Sequence, residues 1–219
     1  MTGDSVELPS GAIEPALELW EPWTPRQAMH VLRDVEAPWY VAAGWAISLH
    51  LGEQHREHED LEVAVPATRF AEVAAALSGH DLYVPGRIGD IGFLQPLASA
   101  AVALADSHQT WVRDRSTGHW RLDVFREPSH GGEWSCRRDE SIRLPYERVI
   151  ARTDDGIPYL RPEFVLLFKA KHVRAKDEAD FRAVVPTMEP AARAWLAETL
   201  GRVHPAHVWI ERLQAPTTH

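Results

Sequence analysis

The spacing of apolar and polar residues divides the chain into a mixed first part and a helical second part. Thr24-Pro25 reads as an N-cap followed by proline at the first helical position. Ala28, Val31 and Leu32 then predict a helix to about Val35. Trp39 to Ala43 reads as a short buried strand, broken at Gly44. Trp45 to Leu51 reads as a short helix ended by Gly52. Glu53 to Glu59 is a charged loop. Leu61 to Val65 is a second strand stopped by Pro66, and Thr68 to Leu77 carries helical spacing through Phe70, Val73, Ala74 and Leu77. His80 to Ser107 holds Pro85, Gly86, Gly89, Gly92 and Pro96. It reads as a long connection with one strand and one short helix.

Alternation returns at His108 to Arg113 and Trp120 to Phe125, joined by Asp114-Arg115-Ser116-Thr117-Gly118, which is a hairpin signal. Glu133 to Arg137 is a further strand, and Asp154-Asp155-Gly156 is a turn between two short ones. After Pro158 the pattern is helical. Pro162 opens a helix through Phe164, Leu167, Phe168 and Lys171. Asp177 caps a second, to about Val185. Pro190 opens a third, and Pro205 to Leu213 is a fourth. The expected class is α+β: a mixed-sheet domain over 24–158 and a small C-terminal helical region over 159–219. Residues 1–23 read as an N-terminal arm or a loosely ordered start.

Composition narrows the setting. The 219 residues suffice for one ordinary core or a core with a small appendage. The single cysteine, Cys136, excludes an intrachain disulfide and reads as a lone buried thiol. The first residues carry acids and no base, unlike a secretory signal, and the most apolar run, Ala37 to Leu51, is shorter than a membrane span. A cytoplasmic protein with no membrane partner is expected. The net charge of −9 argues against a nucleic-acid substrate and suits a neutral or cationic small molecule.

The candidate chemistry begins at Asp60 and Glu62, two positions apart on a predicted strand. Alternate strand residues share a face, so the carboxylates project together and repel unless a cation lies between them. A hard divalent cation takes oxygen ligands. Asp123, flanked by Leu122 and Val124, supplies a third acid from another strand. An acid in such a place costs stability unless paired or coordinated. A solvated sheet face would place the same acids without function. The Gly44 turn points the other way: a helix N-terminus after glycine offers backbone N–H groups to phosphate.

The run Ala43-Gly44-Trp45-Ala46-Ile47, then Gly52, then Arg56-Glu57-His58-Glu59-Asp60-Leu61-Glu62-Val63, resembles the signature of small nucleotidyltransferases of the polymerase-beta superfamily. More narrowly, it is similar to the branch of the aminoglycoside 2″- and lincosamide nucleotidyltransferases. Segments 120–125, 152–159 and 162–181 also look like relatives of that branch, so the resemblance spans about Trp39 to Leu213. It implies a mixed-sheet nucleotidyltransferase domain and the transfer of a nucleoside monophosphate, AMP from ATP or another NTP, to a small-molecule hydroxyl. Mg²⁺ or Mn²⁺ would assist. An antibiotic-like acceptor is implied by the resemblance alone. Asp60, Glu62 and Asp123 would be the catalytic and metal-binding carboxylates. Ala43, Gly44, Trp45, Arg56, Lys169 and Lys171 would bind the nucleotide.

Three positions depart from the branch's pattern. Ala43 replaces the first glycine, Ser48 an aspartate, and Glu62 the second metal-binding aspartate. Mg²⁺ is intolerant of displaced ligands. Two alternatives therefore stand beside the small-molecule reading: a toxin-like nucleotidyltransferase acting on RNA or protein, and a degenerate protein that only binds nucleotide. His50, His55 and His58 do not have zinc spacing and read as surface histidines. The tryptophans read mainly as core, and Asp180 as an ion-pair partner for Lys176 or Arg174.

Overall fold

In the computed structural model, which describes residues 8–215, the strand Glu62–Pro66 runs parallel to Trp120–Glu127. Val63, Val65, Leu122 and Val124 are fully buried, and this apolar face is what the alternation predicts. From Trp120–Glu127 the order continues antiparallel through Gln109–Asp114, His80–Ile88 and Ile91–Pro96. These strands belong to a compact unit made of Met1–Trp39 and Glu59–Glu127. Its first helix, Pro25–Val31, starts at a capping box between Thr24 and Gln27, which satisfies two otherwise orphaned N–H groups.

Two expectations for this unit are corrected. The described part of the N-terminal arm is fixed rather than loose. Ile13 bridges Leu94, Trp20 bridges Trp120, and the backbone N–H groups of Glu21 and Trp23 donate to the carbonyls of Trp120 and Arg121. Residues 1–7 of the arm, and 216–219 of the C-terminal region, lie outside the described residues. Segment 80–107 is a β-hairpin followed by the short helix Ala101–Asp106. Gly86 lies within its first strand, opposite Phe93. A Cβ at Gly86 would come 2.4 Å from the Phe93 ring. The glycine seats an aromatic across the strand pair and does not mark a loop.

The second unit is Tyr40–His58 with Pro128–His219. The boundary expected at 158/159 therefore does not coincide with the division in space. The helix Ala43–Leu51 packs on the helices Pro162–Lys169 and Ala175–Val184, which draws residues 40–58 into this unit. Tyr40–Val41 lies parallel to Pro158–Leu160, which pairs antiparallel with Ile150–Arg152. A separate antiparallel sheet holds Ser129–His130, Glu133–Cys136 and Asp139–Leu144. The last of these strands is missing from the sequence reading. Cys136 is buried, as expected. Trp134 and Trp209 are fully buried, and the Trp134 indole N–H donates to the Tyr40 hydroxyl at 3.1 Å. The helices Pro190–Val203 and Trp209–Gln214 close the chain. No helix among the described residues is long and apolar enough to cross a membrane.

Candidate active site

Two groups of the expected site residues are built by different units. In the first, the parallel register places Glu62 opposite Asp123, and Trp111 faces Asp123 from the other side. Paired residues on adjacent strands project to one face, so Asp123 lies between Glu62 and Trp111. Asp60 sits just before its strand rather than within it. Asp123 is only 4% exposed. Gln109 donates a hydrogen bond to its Oδ2, while Oδ1 completes no hydrogen bond and the Trp111 indole N–H approaches the carboxyl without completing one. Burial pushes the Asp123 carboxyl up. The Gln109 bond pulls it down, and the charge of Asp60 raises it again, to about 7.

The nearby Arg126 does not relieve this acid with an ion pair. Its Nε donates to Thr110 Oγ1 at 3.1 Å and its Nη2 to the Gln109 carbonyl at 3.0 Å. Among the described residues, no three His, Cys, Asp or Glu side chains are grouped closely enough to hold a metal ion. The three-carboxylate expectation therefore rests here on the Asp60–Asp123 interaction and the register of Glu62. An orphaned buried carboxylate oxygen beside a second negative charge still fits a hard cation.

The second group surrounds the start of the helix Ala43–Leu51. Ala42 is its N-cap and offers no side-chain cap. Ala43 has φ of 47°, in the left-handed region that favours glycine. Gly44 has ordinary backbone but no room for a side chain. A Cβ there would lie 2.3 Å from Arg56 Nη2 and 2.8 Å from His58 Nδ1. Arg56 and His58 thus come down directly on the turn. Trp45 stacks on the His58 ring with centroids 4.5 Å apart.

These side chains are tied to a buried charge cluster. Arg56 grips Asp180 with two bonds, Nε to Oδ1 at 2.7 Å and Nη2 to Oδ2 at 3.0 Å. His55 Nε2 meets Asp180 Oδ1 at 2.7 Å. Lys169 Nζ lies 2.9 Å from Asp180 and 2.8 Å from Asp177, and Arg174 also binds Asp177. Ser48 Oγ bridges His55 Nδ1 at 2.9 Å and His58 Nε2 at 2.8 Å. Burial pushes the Asp180 carboxyl up, but Arg56, Lys169 and His55 overcome it and hold it down at about 2. Burial and then the Arg56 charge lower His58 to about 4, so its ring is neutral near pH 7.

Residues 26–88 match the family model of the aminoglycoside-2″-adenylyltransferases. That segment contains Ala43, Gly44, Arg56, Asp60 and Glu62 and ends before Asp123. The fold is similar to the solution structure of the antibiotic-resistance factor ANT(2″)-Ia. Sequence identity is 15%, the TM-score is 0.51, and the match covers 85% of this chain and 91% of that one. The crystal structure of ANT(2″)-Ia in complex with adenylyl-2″-tobramycin gives 14% identity and a TM-score of 0.50, covering 81% and 95%. No protein of curated function matches the chain in sequence. The chain has a nucleotidyltransferase fold. The resemblance seen in the motif residues, and the mixed-sheet class expected from it, are both borne out.

Within that fold several roles differ from those expected. Lys169 pairs with two buried aspartates, and Lys171 is exposed. His55 and His58 are not surface histidines but members of a half-buried chain. Asp180 pairs with Arg56, His55 and Lys169 rather than with Lys176 or Arg174. Asp177 is the N-terminal capping acid expected, accepting from the Arg174 backbone N–H at 3.0 Å. Asp180, His55 and Ser48 were missed as site residues. Their partners lie up to 125 residues away in sequence, and no local spacing announces such a pairing.

Proposed function

We propose that this chain is a metal-dependent nucleotidyltransferase that moves a nucleoside monophosphate, AMP from ATP, onto a hydroxyl of a small molecule. The observation that carries this reading is Asp123: a carboxylate with an orphaned oxygen, raised first by burial and then by the charge of Asp60, on a strand in register with Glu62. Such an acid is costly to the fold and has a use when a cation binds it. Asp60, Glu62 and Asp123 would hold Mg²⁺ or Mn²⁺, whose charge neutralises the phosphates during in-line displacement. Asp123, with its affinity for a proton near neutrality, also suits the role of general base toward the acceptor hydroxyl. The Ala43–Gly44 turn would receive the triphosphate through its backbone N–H groups. The aminoglycoside family model and the tobramycin adduct of the structural neighbour favour an amine-bearing antibiotic as acceptor. The net charge of −9 suits such a cation.

The test is incubation with α-phosphate-labelled ATP, Mg²⁺ or Mn²⁺, and a panel of aminoglycosides and lincosamides. The expected result is label on one acceptor class with release of pyrophosphate, and loss of on the order of 10³-fold in Asp60→Ala. Label appearing on RNA or protein instead would move the substrate class. ATP binding without transfer to any acceptor would leave a binding protein, and recovery of turnover in Glu62→Asp would locate the defect in the extra methylene.

A further inference from the structure

We propose that Asp180 is a positioning residue for the turn at Ala43–Gly44: its carboxylate sets Arg56 directly and His58 through His55 and Ser48, and these two side chains present the surface that meets the nucleotide. The inference rests on the proposed nucleotide role of that turn. It goes further by assigning Asp180, His55 and Ser48, and by withdrawing Lys169 from nucleotide contact.

The argument follows the hydrogens. A carboxylate only accepts hydrogen bonds, so the hydrogen on His55 Nε2 points at Asp180 Oδ1. In the proposed arrangement each imidazole carries one ring hydrogen, so His55 Nδ1 accepts the Ser48 hydroxyl hydrogen. Ser48 Oγ is left to accept from His58 Nε2. The far nitrogen, His58 Nδ1, becomes a lone pair facing Gly44, where a Cβ would sit 2.8 Å from it. The chain therefore fixes both the angle of the His58 ring and the nitrogen that carries its hydrogen. This is how outer partners commonly orient a histidine.

The second branch is the forked grip of Asp180 on Arg56, a planar pairing that holds the guanidinium over the same glycine. Lys169 approaches Asp177 and Asp180 at 2.8 and 2.9 Å with 8% side-chain exposure. It supplies the counter-charge that lets two buried carboxylates anchor the arrangement. Ser48 also gains a rationale. A carboxylate at that position would accept from both rings at once, whereas a hydroxyl passes direction from one ring to the other.

The experiment uses the full chain. Long-range ¹H–¹⁵N spectra of the histidine rings are recorded for the wild type, Ser48→Ala and Asp180→Asn, together with ATP affinity in the presence of Mg²⁺. In the wild type, His58 is expected as a single tautomer with its hydrogen on Nε2. Ser48→Ala should convert it to a pair of exchanging tautomers while the Arg56 Nε–H signal persists. Asp180→Asn should disturb both. ATP affinity is expected to fall about threefold in Ser48→Ala and about tenfold in Asp180→Asn. Unchanged His58 ring shifts in Ser48→Ala would overturn the proposal, as would altered shifts with undiminished ATP affinity. Ser48→Ala leaves Arg56, His55 and Lys169 in place on Asp180, so it decides the matter even if Asp180→Asn does not fold. A wild type that binds no ATP defeats the nucleotide reading itself, and the ring spectra then still report whether the Asp180 chain exists.

Discussion

Asp123 in the first unit and Asp180 in the second are both almost wholly removed from solvent, yet the chain treats them in opposite ways. Asp180 has Arg56, His55 and Lys169 within ion-pair distance. Asp123 has only neutral groups to donate to it, chiefly the Gln109 amide, together with an orphaned oxygen and a second acid acting on it. Burying a carboxylate is expensive in either place. The chain compensates that expense fully at Asp180, where the product is a fixed arrangement of side chains. It leaves the expense standing at Asp123, where the proposed metal would offset it. Two acids equally buried thus differ in their partners, and the proposed function gives the uncompensated one a ligand to hold.

Removing the compensated acid should have the largest effect on stability. In Asp180→Ala, Arg56, His55 and Lys169 lose a shared counter-charge inside the protein, and breaking such a buried cluster costs about 3–5 kcal/mol. Urea denaturation at pH 7 measures it. The pH dependence carries the same sign. The Asp180 carboxyl is held at about 2, below its ordinary 3.8. Its contribution is therefore present above pH 4 and disappears as the pH falls toward 2. An equal acid-side slope in the wild type and in Asp180→Asn would show that the cluster does not act as a counter-charge network.

The contrast also explains what the sequence made legible. The alternation around Asp123 is local. Leu122 and Val124 announce a buried face, the Asp114–Gly118 turn announces the hairpin, and an acid between them is conspicuous. Two partners of Asp180, His55 and Arg56, are separated from it by more than a hundred residues. Only the packing of the helix Ala43–Leu51 on Ala175–Val184 unites them. The same holds for Gly86, whose meaning lies in the ring of Phe93 on the neighbouring strand. Glycine and proline in 80–96 suggest a loop until that cross-strand contact is known. Lys169 looks free in the sequence because its two aspartates are on the next helix, and its charge is the one most easily assigned to the wrong partner.

Asp123→Asn should act in the reverse direction on stability. With its carboxyl raised to about 7, Asp123 carries a penalty that begins near pH 4, where the unfolded carboxyl ionises, and is complete above pH 7. The metal-free wild type should therefore lose stability over that interval, and Asp123→Asn should not. At pH 8 the variant is expected to be more stable than the wild type, while label transfer to the acceptor collapses. Thermal denaturation at pH 5 and pH 8 reads the first and the radiolabel assay the second. A variant less stable than the wild type at pH 8 would place Asp123 with Asp180 among the structural acids. Added Mg²⁺ should narrow the difference by stabilising the wild type alone, because a ligand that binds only the native site shifts the folding equilibrium toward it.

The smallest expected effect concerns the turn where the second group of residues gathers. Ala43 sits at φ of 47°, and a side chain in that region costs roughly 1–2 kcal/mol. Glycine would remove the strain but add about 0.5–1 kcal/mol of unfolded-chain entropy. Ala43→Gly should therefore raise stability by only about 0.5 kcal/mol, measurable as a small rise in denaturation midpoint at unchanged slope. Its neighbour Gly44 offers a different constraint, since its missing side chain makes room for Arg56 and His58. If the strain at Ala43 serves only the backbone, Ala43→Gly changes stability and leaves ATP affinity where it was. If the alanine also restricts the approach of phosphate, affinity rises with stability. The turn would then be limited by its backbone, with Arg56 and His58 already in place, and the one position that departs from the glycine pair would be the one that tunes binding.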